Sequence, residues 1–232
     1  MKYRELAKIL KMEIERGEYR ATGKLPTEPE LMERFGVTRY CVRNAIALLV
    51  NLGDVCPVQG SGMFVREDDR DGCLNINNTR GLTSEFPGHA VSSKVIKLEQ
   101  REAGGDAGRL KCDPGDDVYS ISRLRLLDGE PFAIEYALYL KEFVPYLNEE
   151  IADGSIYSYI RRDLKLVTGF ADKLMYARKL DRGQADLLGL SAGDPALVVE
   201  DHAYLSNGRL FNVGTVYYHY EKATFFNFAD LK

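Results

Sequence analysis

Apolar residues near the start of the chain recur three and four apart. Leu6, Ile9, Leu10 and Ile14 share one helical face, and Gly17 follows as a stop. Thr27 with Glu30 three residues on makes a capping box, with Pro29 tolerated in the first turn. The helix it opens turns Leu31 and Phe35 inward and ends at Gly36. Thr38 caps a third helix whose buried side is Val42, Ala45, Ile46 and Leu49, leaving Arg39, Tyr40 and Arg43 outward in its first turns. VCPVQGSGMFV then reads as two short strands around Gly60-Ser61-Gly62.

A polar, Gly/Asn-rich stretch (67–88) separates this head from a body in which the period becomes two. SKVIKLEQ, VYSISRLRLL, PFAIEYALYL, FADKLMYARKL, ALVVEDHAYL and RLFNVGTVYYHY read as strands. Asp128-Gly129 and Ser206-Asn207-Gly208 are hairpin signals. SIYSYIRRDL, capped by Ser155, and DRGQADLLGL, capped by Asp181, read as helices. Strands mixed with a few helices predict an α+β domain on an antiparallel sheet. The expected boundaries are 1–66 for the head, 67–89 for a linker and 90–232 for the body.

Composition narrows the function. A length of 232 residues, 45% hydrophobic and 28% charged, suits two modest globular domains. No apolar run nears the ~18 residues of a membrane span, and the start is charged rather than signal-like, so a cytoplasmic protein with no membrane partner is expected. Four scattered cysteines without a C-x-x-C pair point to reduced thiols. Three histidines without ligand spacing give no support to a metal site, and no cofactor is expected. The net charge of -4 is uneven. Residues 1–66 carry 11 Lys+Arg against 8 Asp+Glu, a balance of +3, and the remaining residues carry 20 against 27, a balance of -7. A basic head on an acidic body suits a protein that meets phosphate with one end.

Two short helices, a tight turn and a hairpin form an arrangement that puts a helix into a DNA major groove and a wing beside it. Arginine at the start of the second of these helices can grip guanine O6 and N7, which makes Arg39 and Arg43 the expected readers. Glycine at the wing tip lets backbone amides approach the sugar-phosphate chain.

In the body, Arg123 and Arg125 alternate on one strand and share a sheet face with Tyr119 and Ile121. Glu135 stands among apolar neighbours on the next strand and needs a partner. A two-residue Asp128-Gly129 turn would pair Arg123 with Ile134. A three-residue loop from Asp128 to Glu130 would set Glu135 across from Arg123. The longer loop is favoured here, because it gives both charges a partner.

L-P-T-E-x-E-L, F-G-V-T-R, V-R-x-A and Q-G-S-G-x-F-V, in this order, resemble the winged helix-turn-helix of the GntR family of bacterial transcription regulators. The resemblance implies DNA contacts from Thr27, Thr38, Arg39, Tyr40, Arg43, Gln59 and Gly60. Tyr40-Cys41 and Pro29 depart from the usual pattern. ISRLRLLDGEPFAIE, GSIYSYI and LGLSAGDPALVVE resemble the UTRA effector domain of the HutC branch, a chorismate-lyase-like fold. This implies an effector site of Thr83, Ser84, Arg123, Arg125, Glu135, Ser155, Tyr157, Asn212 and Tyr218. Glu85, Pro87 and Asn212 depart from the sugar-phosphate-binding pattern. The expected protein is a regulator, in the sense of a repressor, that binds double-stranded operator DNA as a homodimer under control of a small anionic effector. The alternatives are a ligand-independent DNA-binding protein with a degenerate pocket and a lyase-like enzyme.

Overall fold

A computed structural model describes residues 1–66, 72–77, 81–86 and 88–227. The chain divides into two compact units. One is 1–78 together with 224–232, and the other is 79–223.

The first unit contains α1 (Tyr3–Glu15), α2 (Glu28–Phe35), α3 (Arg39–Asn51), β1 (Val55–Val58), β2 (Gly62–Val65) and β3 (Cys73–Asn75). Leu6, Leu10, Leu31, Val42 and Ala45 are fully buried in its core, as the 3.6-residue pattern requires. Glu30 reaches back to accept from both the amide and the hydroxyl of Thr27 at 2.8 Å, which starts α2. Gly36, at φ 61°, ends it in the left-handed conformation that glycine adopts without strain. Cys41 N donates to Thr38 Oγ1 at 3.3 Å and opens α3. Two carboxylates are buried here: Asp54 accepts from Lys11 Nζ at 2.9 Å, and Glu13, on the inner face of α1, accepts from Arg34 Nη2 at 2.5 Å and from the Tyr19 hydroxyl. The β1–β2 hairpin gains a third edge where Leu25 N donates to Met63 O and Val65 N to Gly23 O, both at 2.9 Å.

β3 lies inside the stretch expected to be a linker. It pairs in parallel with β10 (Thr224–Phe226), from the far end of the chain, in the register Cys73↔Thr224, Leu74↔Phe225 and Asn75↔Phe226. Asn75 Nδ2 also donates to Leu52 O at 2.9 Å, tying β3 to the end of α3. Three-residue strands carry too little alternation to be read from sequence.

The second unit is a six-stranded antiparallel sheet of β4 (Val91–Glu102), β5 (Asp117–Leu127), β6 (Glu130–Leu140), β7 (Thr168–Lys179), β8 (Pro195–Leu205) and β9 (Leu210–His219). Its spatial order is β4-β5-β6-β9-β8-β7. Each of the six expected strand segments coincides with one of these to within two residues at either end. The helices are α4 (Ala107–Leu110), α5 (Glu149–Asp153), α6 (Ile156–Arg162) and α7 (Arg182–Leu188). α5 and α6 bury Ala152, Ile156 and Ile160 on one sheet face against Tyr119, Ile121, Ala137 and Tyr139. On the other face α4 packs on Val118, Leu138 and Val213, and α7 on Leu124, Ile134 and Ala196.

The expected three-residue loop at Asp128 is corrected. Leu127 pairs with Glu130, so the turn has two residues, with Asp128 at φ 52° and Gly129 at φ 86°. Positive φ at both centres is the geometry that matches strand twist in a tight hairpin. The register then slips by one residue on β6. Leu126 faces Pro131 while Arg125 faces Ala133, leaving Phe132 as the extra residue of a bulge. The bulge, and not a longer loop, puts Glu135 opposite Arg123.

Candidate functional site

At the start of α3 the outward residues are Thr38, Arg39, Tyr40 and Arg43, with Tyr40 at 74% exposure. Cys41, next in the chain, turns inward and is buried. Only Tyr40 of that unusual pair is therefore available to a partner. Arg39 Nε donates to Glu28 Oε2 at 2.7 Å and Arg43 Nε to Glu28 Oε1 at 3.0 Å. One carboxylate on the first turn of α2 thus holds both arginines by their Nε atoms. The Arg39 hydrogen bond is the main reason the Glu28 carboxyl lies below its ordinary value, with Arg43 adding to it. Glu28 was not singled out in the sequence; its position beside the Thr27 cap was the available signal. Gln59 and Gly60 are exposed at the hairpin tip, where Gly60 and Gly62 adopt φ 73° and 102°. Thr27 is exposed but its hydroxyl is engaged by Glu30. Lys24, beside the wing, lies over the Phe64 ring at 4.5 Å.

In the second unit, register places three rows of side chains on the face that carries α5 and α6. Arg125, Ala133, Tyr218 and Leu197 form one row. Arg123, Glu135, Val216, Val199 and Met175 form the next, and Ile121, Ala137, Gly214, Asp201 and Lys173 the third. Arg123 is 3% exposed and fully engaged at its tips. It donates to Glu135 Oε2 at 2.6 Å, to Ala152 O at 2.5 Å and to Gly154 O at 3.3 Å. Burial opposes its charge, and Glu135 together with Tyr139 and Asp153 outweighs burial, so its pKa lies above the ordinary arginine value. Burial also opposes the Glu135 charge, and the two arginines outweigh it, holding that carboxyl below the carboxylate range.

Arg125 differs. It is 6% exposed, makes no hydrogen bond among the described residues, and approaches Glu135 Oε2 only to 3.7 Å. The Nε atoms of both arginines are buried without a partner, so the difference lies at the Nη atoms, which among the described residues are hydrogen-bonded in Arg123 alone. Burial pulls its pKa below the ordinary arginine value, with Glu135 offsetting part of the effect.

Other expected site residues fall in different positions. Tyr157, from α6, donates to Asn212 Oδ1 at 3.2 Å, and Asn212 Nδ2 donates to Leu138 O at 3.0 Å. Asn212 is therefore buried and held from both ends. Tyr218 packs edge-on against Phe132, and burial pushes its phenol well up. The Ser155 hydroxyl accepts from Ser158 N at 3.2 Å as the cap of α6, and Ser155 lines a separate open cleft of about 480 Å³ with Asn148, Glu150 and Arg162. Thr83 is exposed on a short 3-10 turn, Leu82–Ser84. The Ser84 side chain and Pro87 lie outside the described residues. Sequence reasoning missed Asp201, whose Oδ1 is buried without a hydrogen-bond partner and whose pKa burial raises.

Comparison with known proteins agrees with this two-part geometry. The profile of bacterial regulatory proteins, gntR family, matches residues 2–65, and that of the UTRA domain matches residues 87–224. The HTH-type transcriptional regulator YydK of Bacillus subtilis, itself described as uncharacterized, is 34% identical over 97% of this chain and 96% of its own. Its crystal structure superposes with a TM-score of 0.86 at 33% identity, covering 97% of this chain and 99% of that one. The HTH-type transcriptional repressor NagR of the same organism is 30% identical over 98% of this chain and 94% of its own. The effector-binding domain of the B. subtilis trehalose repressor TreR matches 61% of this chain and 99% of that domain at 27% identity, with a TM-score of 0.55. The chain belongs to the GntR family of bacterial transcription regulators, with a winged helix-turn-helix at its N-terminal end and a UTRA domain after it.

Proposed function

We propose that the protein is a transcriptional repressor that grips operator DNA through α3 and the β1–β2 wing, and that a small anion bound beside Arg125 sets that grip. The observation that carries the effector half is the buried guanidinium of Arg125 with no hydrogen bond. A buried charge of this kind is costly unless an opposite charge or acceptor meets it, and a bidentate anion fits its donors. Neighbouring Arg123 supports the same sign, although its tips are already occupied. For the DNA half, the exposed Arg39 and Arg43 at a helix start supply both base-reading donors and a phosphate-favouring end.

A homodimer is part of the proposal, since a helix-turn-helix reads paired half-sites about one helical turn apart. Work on DNA sets the compartment as the cytoplasm. A regulatory rather than catalytic role follows the family, whose relatives NagR and TreR are named as a repressor and a regulator.

The test is a thermal-shift and gel-shift pair on the full chain. Inorganic phosphate should raise the unfolding midpoint of wild type, because a ligand that binds only the folded state must do so. Arg125→Met should lose that shift while retaining wild-type affinity for a selected duplex. Equal shifts in both proteins would remove Arg125 from the effector site.

A further inference from the structure

The effector reading gives one end of a ligand, and the sheet supplies a second. Glu135, the acidic member of the expected effector site, is occupied by Arg123 at 2.6 Å and has Arg125 at 3.7 Å. Asp201 lies on the same face, in the row next to Glu135 and two strands away. Its Oδ1 has no hydrogen bond, and the Lys173 ammonium stands 3.9 Å off. Gly214, its neighbour on β9, has no side chain to cover it, and a Cβ there would meet nothing closer than Tyr136 O at 3.9 Å. Between Asp201 and the arginines, Glu135 apart, the floor is apolar: Ala137, Val216 and Val199.

Resting on the reading of this face as the effector site, we infer that Asp201 is the residue that selects the effector. The ligand class is an anion that also carries an ammonium or hydroxyl donor at its other end. The anion meets Arg125 and the donor meets Asp201. A buried carboxylate oxygen that lacks a donor is stabilised by gaining one, and an ammonium supplies charge as well. Arg125 on β5 and Asp201 on β8 are three strands apart, about 14 Å across the sheet at ~4.8 Å per strand, and two rows apart, about 13 Å along the strands at ~3.3 Å per residue. The long arginine side chain shortens that diagonal, so the ligand has the length of a chain of several atoms with a substituent at each end. Burial raises the Asp201 carboxyl above its ordinary value, as expected for a group awaiting a cation or donor.

The experiment compares two probes that differ only at one end, hexyl phosphate and 6-aminohexyl phosphate, by isothermal titration of the full chain. Wild type should bind the amino compound at least tenfold more tightly. Asp201→Asn, nearly isosteric and still able to accept, should erase most of that difference and leave hexyl phosphate binding within about twofold. Equal affinities in wild type, or a tenfold preference that survives in Asp201→Asn, would overturn the role of Asp201 while leaving the anion site intact. Binding of neither phosphate would overturn both this inference and the anion reading on which it rests. Circular dichroism and the unfolding midpoint of Asp201→Asn confirm that the variant is folded before its binding is read.

Discussion

Glu28 sits at the centre of the proposed DNA-reading surface although it is negative. By taking the Nε of both Arg39 and Arg43, it fixes two long side chains that would otherwise sample many rotamers. It also lowers the charge that this surface offers to any phosphate. Glu28→Gln should therefore raise affinity for random duplex and lower discrimination, cutting the ratio of specific to non-specific affinity several-fold; competition anisotropy with unlabelled random DNA measures it. An unchanged ratio would leave Glu28 as a solvated ion pair, which for an exposed group contributes only about 0–1 kcal/mol.

Asp201 makes a prediction of opposite kind, in stability. Its folded pKa is raised, so the folded state holds that proton more tightly than the unfolded chain does. Stability from this group is therefore greatest below the unfolded aspartate value and declines as pH rises from there through the raised folded value. Asp201→Asn should raise the melting midpoint of the ligand-free protein at pH 7 and flatten that decline, as scanning calorimetry at pH 4 to 7 would register.

Elements fix where these groups point. The Asp128-Gly129 turn requires positive φ at both residues, and Asp128 is further held by His89 at 2.6 Å and by the amide of Ala90 at 2.9 Å. Gly129→Val would force a β-branched residue into φ 86°, costing about 1–2 kcal/mol. Chemical denaturation should show a lower midpoint with an unchanged slope. In the head, Tyr19 ties the turn after α1 to the buried Glu13–Arg34 pair. Burial, with Glu13 adding, pushes its phenol up to about 12. Folded tyrosine thus keeps a proton that the unfolded chain loses near pH 10, so the stability this group contributes is constant below pH 10 and falls between 10 and about 12. Tyr19→Phe should lower stability at pH 7 by about 1.5 kcal/mol and abolish that alkaline loss.

These elements also explain what a sequence can reveal. Six strands and the caps Thr27, Thr38, Ser155 and Asp181 are legible because alternation and capping are local. The Phe132 bulge is not, because it depends on β6 satisfying β5 and β9 at once. The reading that Glu135 meets Arg123 reached the right pair by the wrong loop. Asp201 escaped notice for a related reason. Within Glu200-Asp201-His202 the alternation says that neighbours face opposite ways, but only the pairing of Asp201 with Gly214 assigns it to the arginine face. Glu200 turns instead to His202 and Arg109.

At the scale of the whole molecule, the chain combines a +3 segment with a -7 remainder, and strand β10 pairs into the same unit as α1, α2 and α3. A ligand changes DNA affinity only through different affinities for the gripping and released arrangements. The most direct measurement is fluorescence anisotropy on a duplex selected from a random library, titrated with 6-aminohexyl phosphate at constant ionic strength. The account predicts that wild type loses at least tenfold in duplex affinity, that Arg125→Met binds the same duplex equally well and loses nothing, and that Arg39→Ala selects no sequence. An equal loss in wild type and Arg125→Met, or an unaltered selected sequence in Arg39→Ala, would contradict it.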